Sequence, residues 1–267
     1  MKIIYVIESL TEIGGAENAL VNLVIEMKKF GHEPKIFYLW PPNDFEDILN
    51  FHDIAFYSCS LKSRWSILSG LFSLIKAFRR EEVNVVNAIN FFPMFYVSLS
   101  KIFIKKVKCV VTYHNMGYEF YPATTLLKKI RKLLDIIFNK MSFDGYLAVS
   151  SAVASSYRQH LRLESIDVVH NVIPIDSIIN LANKNPDKLN LKKPSLIMAG
   201  RFVKEKGYEY ILEAIEILKD EGMVVYLNIC GDGPLKESIR RKIIEKNMTT
   251  HVKLNKTKKH DELFNLI

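Results

Sequence analysis

Four short stretches carry residues whose types and spacing could do chemistry, and each lies where an apolar run gives way to a helical pattern. The fullest is Gly200-Arg201-Phe202-Val203-Lys204-Glu205-Lys206-Gly207. Arg201 follows an apolar run and Lys206 stands where the next helix begins. Two cations, glycines and a helix N-terminus on one spot suit a diphosphate. The guanidinium offers a bidentate fork, the ammonium a point charge, and the amide end of the helix favours an anion. An exposed charged loop is the plainer reading, and the convergence favours the site. Gly14-Gly15-Ala16-Glu17 is the second stretch. Its glycines let backbone N–H groups approach an anionic ligand, and a loop that only needs a flexible backbone would carry them equally. The third is His114-Asn115, directly after the run 107–113. Ligands bind at the carboxyl ends of strands in open α/β sheets, and a histidine there can donate a hydrogen bond or stabilise developing charge. A surface histidine in a loop is the commoner case. In the fourth, Gly231-Asp232-Gly233-Pro234, Asp232 is expected to cap a helix and Pro234 to occupy its first position. Structure therefore accounts for most of that stretch.

Other chemistries lack their residues. No G-x-G-x-x-G is present, and Tyr38-Leu39-Trp40 stands where an acidic ribose ligand would be expected, which argues against a nicotinamide-dependent dehydrogenase. There is no D-x-D pair to hold a divalent metal between phosphates, and no G-x-S-x-G, Walker A or H-E-x-x-H. No metal site and no cofactor are expected. Cys59, Cys109 and Cys230 are odd in number, far apart and without a C-x-x-C, so reduced thiols in a cytoplasmic protein are expected.

The elements that must position these residues alternate from the start. Runs at 2–7, 35–39, 54–57, 83–87, 107–113, 145–149 and 166–169 read as strands. Helical spacing fills the gaps: Ala16, Ala19, Leu20, Leu23, Val24 and Met27, stopped by Gly31, then 66–80, 91–104, 125–140 and a helix to His160 capped by Ser150 or Ser151. Such alternation predicts βαβ units and a doubly wound parallel sheet over residues 1–172. Residues 173–194 are rich in proline and asparagine and read as a linker with one short helix at 178–182. The pattern restarts over 195–267 with strands at 196–199, 224–229 and 252–254, helices between them, and the first turns of another helix at 261–267. Three strands make a small second domain, which is expected to be incomplete.

The 267 residues carry a net charge of +8, split as 20 − 16 = +4 over residues 1–172 and 17 − 13 = +4 over 173–267. A spread excess points weakly to polyanionic partners and gives no basic tail. Nucleic acid is not expected, because no aromatic-and-basic recognition motif is present. The apolar start ends at Glu8, too soon for a signal peptide, and no run reaches the roughly 18 residues of a membrane span. The helix 126–134, with Lys128, Lys129, Arg131 and Lys132, could lie on an anionic membrane or be a core helix with a solvated basic face.

Taken in order, GGAENALVNL, YHN, VVHNVIP, MAGRFVKEKGYEYILEAIEIL and ICGDGPLKESI resemble the family-4 glycosyltransferases, and the resemblance covers essentially the whole chain. It implies the GT-B architecture, two Rossmann-like domains facing a cleft. It implies transfer of a sugar from a UDP- or GDP-linked donor to a glycan or lipid-linked acceptor in cell-surface polysaccharide synthesis, with retention and without an essential metal. The nucleotide-sugar is a substrate, so no cofactor is implied. By the same resemblance Arg201 and Lys206 hold the donor diphosphate. Gly14 and Gly15 line the loop near donor phosphate and acceptor, His114 stands near the transferred sugar, and Gly231 and Asp232 lie near the nucleotide. Val172 and Asn255 stand where the family commonly has glycine, and the family's E-x7-E segment would come after the helix begun at Asp261. A truncated, non-catalytic module that binds a membrane surface or a partner is the alternative expectation.

Overall fold

The computed structural model describes residues 1–59, 61, 67–104, 106–120, 124–184 and 194–255. The chain divides into two compact units, Met1–Ile173 and Pro174–Ile267.

The first unit runs β1 (Lys2–Ile7), α1 (Gly15–Lys29), β2 (Glu33–Tyr38), α2 (Glu46–Phe51), β3 (Ala55–Ser58), α3 (Ile67–Arg80), β4 (Val85–Ile89), α4 (Phe91–Lys101), β5 (Lys108–Tyr113), α5 (Gly117–Phe120), α6 (Leu126–Ser142), β6 (Gly145–Ala148), α7 (Ser151–Leu161) and β7 (Asp167–Val168). Its seven strands are parallel in the order β3-β2-β1-β4-β5-β6-β7. The chain starts in the middle and winds outward twice, so the switch point lies between β1 and β4. Alternate residues of β1 serve two cores. Ile3, Tyr5 and Ile7 pack with Leu20 and Val24 of α1, while Ile4 and Val6 join the cluster that holds Leu74 of α3 and Met94 and Val97 of α4. Burial on both faces is why β1 reads as an unbroken apolar run.

The helix ends follow local chemistry. The Ser150 hydroxyl accepts the Val153 N–H and caps α7, and the Thr125 hydroxyl accepts the Lys128 N–H at the start of α6. Gly31, at φ 78°, turns the chain out of α1 while the His32 N–H reaches back to the Met27 carbonyl.

The second unit runs α8 (Ile175–Lys184), β8 (Ser195–Ala199), α9 (Tyr208–Asp220), β9 (Tyr226–Cys230), α10 (Lys236–Glu245) and β10 (Val252–Asn255), with a 3-10 turn at Lys204–Lys206. The three strands are parallel in the order β10-β9-β8. Phe202, Tyr208, Leu212, Leu227, Ile229 and Ile239 form its core.

Three features depart from expectation. The fourth strand starts at Val85, not 83, because Glu82 takes φ 48° and the Asn84 side chain is spent on the Lys2 N–H at 2.8 Å. Pro234 precedes α10 instead of opening it. Helix α6 turns polar residues inward: Asp135 and Asn139 are buried, and Leu126, Leu127, Ile130, Leu133 and Ile137 are exposed. Its outward face is thus not simply a solvated basic one. The helix expected at 261–267 lies outside the described residues. Among the described residues, no helix is long and apolar enough to cross a membrane.

Candidate functional site

Four of the singled-out residues meet at the carboxyl edge of the second sheet. β8 and β9 are neighbours in register, Ala199 beside Cys230, so the loops that leave them lie side by side. They are zipped together by the backbone. The Gly200 N–H donates to the Cys230 carbonyl at 3.0 Å, Phe202 N–H to Asp232 at 2.9 Å, and Leu235 N–H to Phe202 at 3.0 Å. A side chain on Gly231 would not fit, since a Cβ there would sit 2.0 Å from the Gly200 carbonyl oxygen. The buried Tyr208 hydroxyl donates to that same carbonyl at 2.7 Å, and its ring meets Phe202 edge to face at 4.9 Å. Arg201 therefore projects from a backbone fixed on both sides.

Lys206 comes to the same place by another route. The 3-10 turn and Gly207, left-handed at φ 69°, fold the chain back before α9 begins. The lysine stem then lies over Gly200, with Cδ and Cε 3.7 Å from where a Cβ would stand. Arg201 and Lys206 are both exposed. Among the described residues neither side chain is engaged by a carboxylate, whereas the nearby Lys236 and Lys242 are held by Asp232 and Glu209 at 2.8 and 2.7 Å. Two cations that no described carboxylate engages thus belong to the loop that runs into the uncapped N-terminus of α9. That set can neutralise a diphosphate. Asp232 does not cap α10, contrary to the expectation from sequence. Its carboxylate accepts the Gly233 N–H and the Lys236 ammonium, both at 2.8 Å, because Gly233 and Pro234 put the helix start too far along. These bonds hold its carboxyl below the usual range, the Lys236 one foremost.

The first sheet carries Gly14, Gly15 and His114 on its own carboxyl edge. Gly14 caps α1 with an ordinary extended backbone, so it is not there for a special torsion. It leaves room for Glu17, whose carboxylate lies 1.9 Å from where a Cβ would be. Nothing lies within 4 Å of a Cβ on Gly15, so that backbone is open to approach. His114 follows β5, and its N–H donates to the Asn90 side chain at 3.3 Å. Burial pushes its imidazole down to about 4, so the ring is neutral at pH 7 and exchanges hydrogen bonds instead of carrying charge.

A second buried group titrates in the opposite direction. Burial raises Asp135 to about 6, against the hydrogen bonds it accepts from Tyr118 and Asn139 and the nearby charge of Arg131. Between its unfolded value near 6.5 and about 4, the unfolded chain holds a proton that native His114 refuses, so stability falls on acidification. Between about 6 and its unfolded value near 3.8, native Asp135 holds a proton that the unfolded chain does not, so stability rises. Each effect is about 3 kcal/mol, and they nearly cancel. His114→Gln is expected to leave a chain that gains stability from pH 6.5 to 4, and Asp135→Asn one that loses it. Urea titrations across that range check both signs, and parallel profiles for the two variants would refute the assignment.

Sequence reasoning gave no role to three residues that build these edges. Tyr208 anchors the Gly200 carbonyl, and a tyrosine directly after a helix-opening glycine was its only signal. Gly233 lies with Phe202 backbone atoms 2.8 Å from where a Cβ would be. Asn90 adopts φ 64° and supports His114, with no local signal at all.

A seven-stranded parallel sheet and a smaller parallel sheet, each with glycine-bearing loops on its carboxyl edge, define a GT-B fold. HepE of Anabaena, in complex with UDP and glucose, is similar with a TM-score of 0.76 at 15% identity over 100% of this chain and 71% of that one. The apo lipopolysaccharide outer core galactosyltransferase WaaB is similar with a TM-score of 0.66 at 15% identity over 97% and 68%. Residues 13–177 match the model of Glycosyltransferase Family 4 and residues 181–267 that of Glycosyl transferases group 1, and the chain belongs to Glycosyltransferase Family 4. It is 26% identical over 182 residues to an uncharacterized 41.2 kDa protein in the cps region of Klebsiella pneumoniae, covering 62% of this chain and 48% of that protein. The chain thus spans about half the length of that relative.

Proposed function

We propose that this chain carries the donor-diphosphate site of a glycosyltransferase that moves a sugar from a nucleotide-sugar to a glycan or lipid-linked acceptor in cell-surface polysaccharide synthesis. The observation that carries the reading is that Arg201 and Lys206, exposed and free of described carboxylates, leave one loop between β8 and the start of α9, with the Lys206 stem over Gly200. As the bond to the sugar breaks, charge builds on the departing diphosphate, and fixed cations stabilise it without a metal ion. Gly231 and Asp232 form the neighbouring loop and are the nucleotide-proximal residues. On the other sheet, Gly15 offers its backbone to phosphate, and the neutral His114 donates to a hydroxyl of the transferred sugar. Retention at the anomeric carbon is carried by the family resemblance. HepE is held with UDP and glucose and WaaB acts on lipopolysaccharide, which supports a UDP-linked donor and a surface glycan. The outward stripe of α6, apolar and accompanied by the exposed Lys128 and Lys129, supports a cytoplasmic protein that rests peripherally on an anionic membrane.

Calorimetry with a panel of UDP- and GDP-sugars tests this, with and without EDTA. Binding of one donor, unchanged by EDTA, is expected. His114→Ala is expected to leave that affinity within about threefold and to lower transfer by about 10²-fold, as for a group that acts on the reacting sugar. A chain that binds no donor of either base ends the proposal.

A further inference from the structure

The carboxyl edge of the first sheet holds a cation that the donor reading does not use. Arg131 of α6 lays its guanidinium over Phe91, with Cζ 4.0 Å from the ring centroid and 5.5 Å from that of Phe92. Phe91 and Phe92 meet edge to face at 5.3 Å, and Trp40 closes on Phe92 at 5.7 Å. The topology explains the meeting. Trp40 follows β2, Phe91 opens α4 just past β4, and Arg131 lies in the early turns of α6, between β5 and β6. His114 belongs to the same edge, because its N–H is held by Asn90, the residue before Phe91.

The natural partner for Arg131 on its own helix is Asp135, one turn on. That carboxylate is committed elsewhere. It is buried, and it accepts from the Asn139 amide at 2.6 Å and from the Tyr118 hydroxyl. Among the described residues, Arg131 enters no ion pair. A guanidinium stacked on a ring keeps its in-plane N–H groups free, and that fork fits the oxygens of a phosphate. Beside it, Leu127 and Ile130 are 79% and 45% exposed. An anion bound here lies against apolar surface on one flank and the edge bearing His114 on the other.

We propose that Arg131, seated on Phe91, binds the phosphate of an acceptor in which that phosphate carries a hydrocarbon chain, with Leu127 and Ile130 covering the first carbons of the chain. This rests on the glycosyl-transfer reading and assigns the acceptor class for the same edge. The ring face holds the guanidinium carbon in place, so the phosphate is placed and not merely attracted. A lysine would supply the charge without the fork or the stack.

The probe is dodecyl phosphate below its micelle concentration, titrated calorimetrically into the full chain. Binding is expected to weaken about tenfold in Arg131→Gln and nearly as much in Arg131→Lys. Phe91→Leu, which keeps bulk and loses the ring face, is expected to cost about threefold. Lys129→Gln removes an exposed charge from the same stretch of helix and is expected to change nothing. Equal losses in Arg131→Gln and Lys129→Gln mean general charge attraction and overturn the site, as does dodecyl maltoside binding equally well. Phosphatidylglycerol vesicles separate the two sources of lipid phosphate. There the Arg131 and Lys129 variants are expected to weaken alike, and a loss confined to Arg131→Gln would assign the site to bilayer lipid and overturn the acceptor reading. Sugar-donor binding on the same preparations is independent. If no donor binds while dodecyl phosphate still depends on Arg131, the transferase reading fails and the anion site stands.

Discussion

Gly231→Ala is expected to destabilise the second unit by about 3–5 kcal/mol and to abolish donor binding with it. A Cβ at this position would lie 2.0 Å from the Gly200 carbonyl oxygen and 2.7 Å from Cε1 of the buried Phe202. Backbone cannot rotate away as the end of a long side chain can. Relief requires the two loops to part, and parting them breaks the bonds from Gly200 to Cys230, from Phe202 to Asp232 and from Leu235 to Phe202. Each is worth about 1 kcal/mol, and the buried Tyr208 hydroxyl loses its acceptor as well. The cost comes from space and not from torsion, which other glycines test. Gly222, at φ 79° with open surroundings, is expected to cost about 1 kcal/mol as alanine. Gly15, open and without a positive φ, is expected to leave stability unchanged. Denaturant melts of the three variants give the ranking. A Gly231 variant as stable as the parent would mean that the loops are not joined as described, and the placing of Arg201 would lose its physical basis.

Much of this was legible in the sequence because it is local. The β-branched run 2–7 can only be a strand buried on both faces, and the helix that follows it ends where Gly31 must end it. Arg201 and Lys206 stand five positions apart in one strand-to-helix turn, so the sequence alone places them on one loop. What failed depends on partners distant in the chain. Asp232 looked like a helix cap, yet the residues between it and α10 redirect its carboxylate to Gly233 and Lys236. The short helices α2 and α5 have too few residues for a 3.6 period to show. Helix α6 is the most instructive case. Its periodicity reports two faces and cannot say which is buried. Asp135 and Asn139 face inward because Tyr113 and Tyr118 aim hydroxyls at their side chains and Tyr146 at the Asn139 carbonyl, and those three tyrosines come from β5, α5 and β6. The two-loop zipper was equally hidden, since neighbouring strands bring Gly200 and Gly231 together across thirty intervening positions.

Replacing Arg201 and Lys206 together by alanine is expected to weaken nucleotide-sugar binding by at least about a hundredfold, since each cation contributes a charge-assisted hydrogen bond of about 1.5–3 kcal/mol to the diphosphate. The two act on one ligand group, so the single losses are not expected to sum to the double loss. Stability should not move beyond about 0.5 kcal/mol, because both side chains are exposed and neither has a protein partner among the described residues. That contrast separates this pair from Gly231, where fold and binding fail together. Lys204 supplies the control. It lies in the same 3-10 turn with the same charge, but its field falls on Glu209. If the diphosphate were held by general positive potential, Lys204→Ala would cost as much as Arg201→Ala, and raising the salt would erase all three effects alike. If it is held by a fork and an ammonium fixed over Gly200, Lys204→Ala costs little. Arg201→Lys then recovers only part of the affinity, because an ammonium cannot span two phosphate oxygens. Full recovery by that lysine would contradict the geometry of the turn even if the chain proved to be an active transferase.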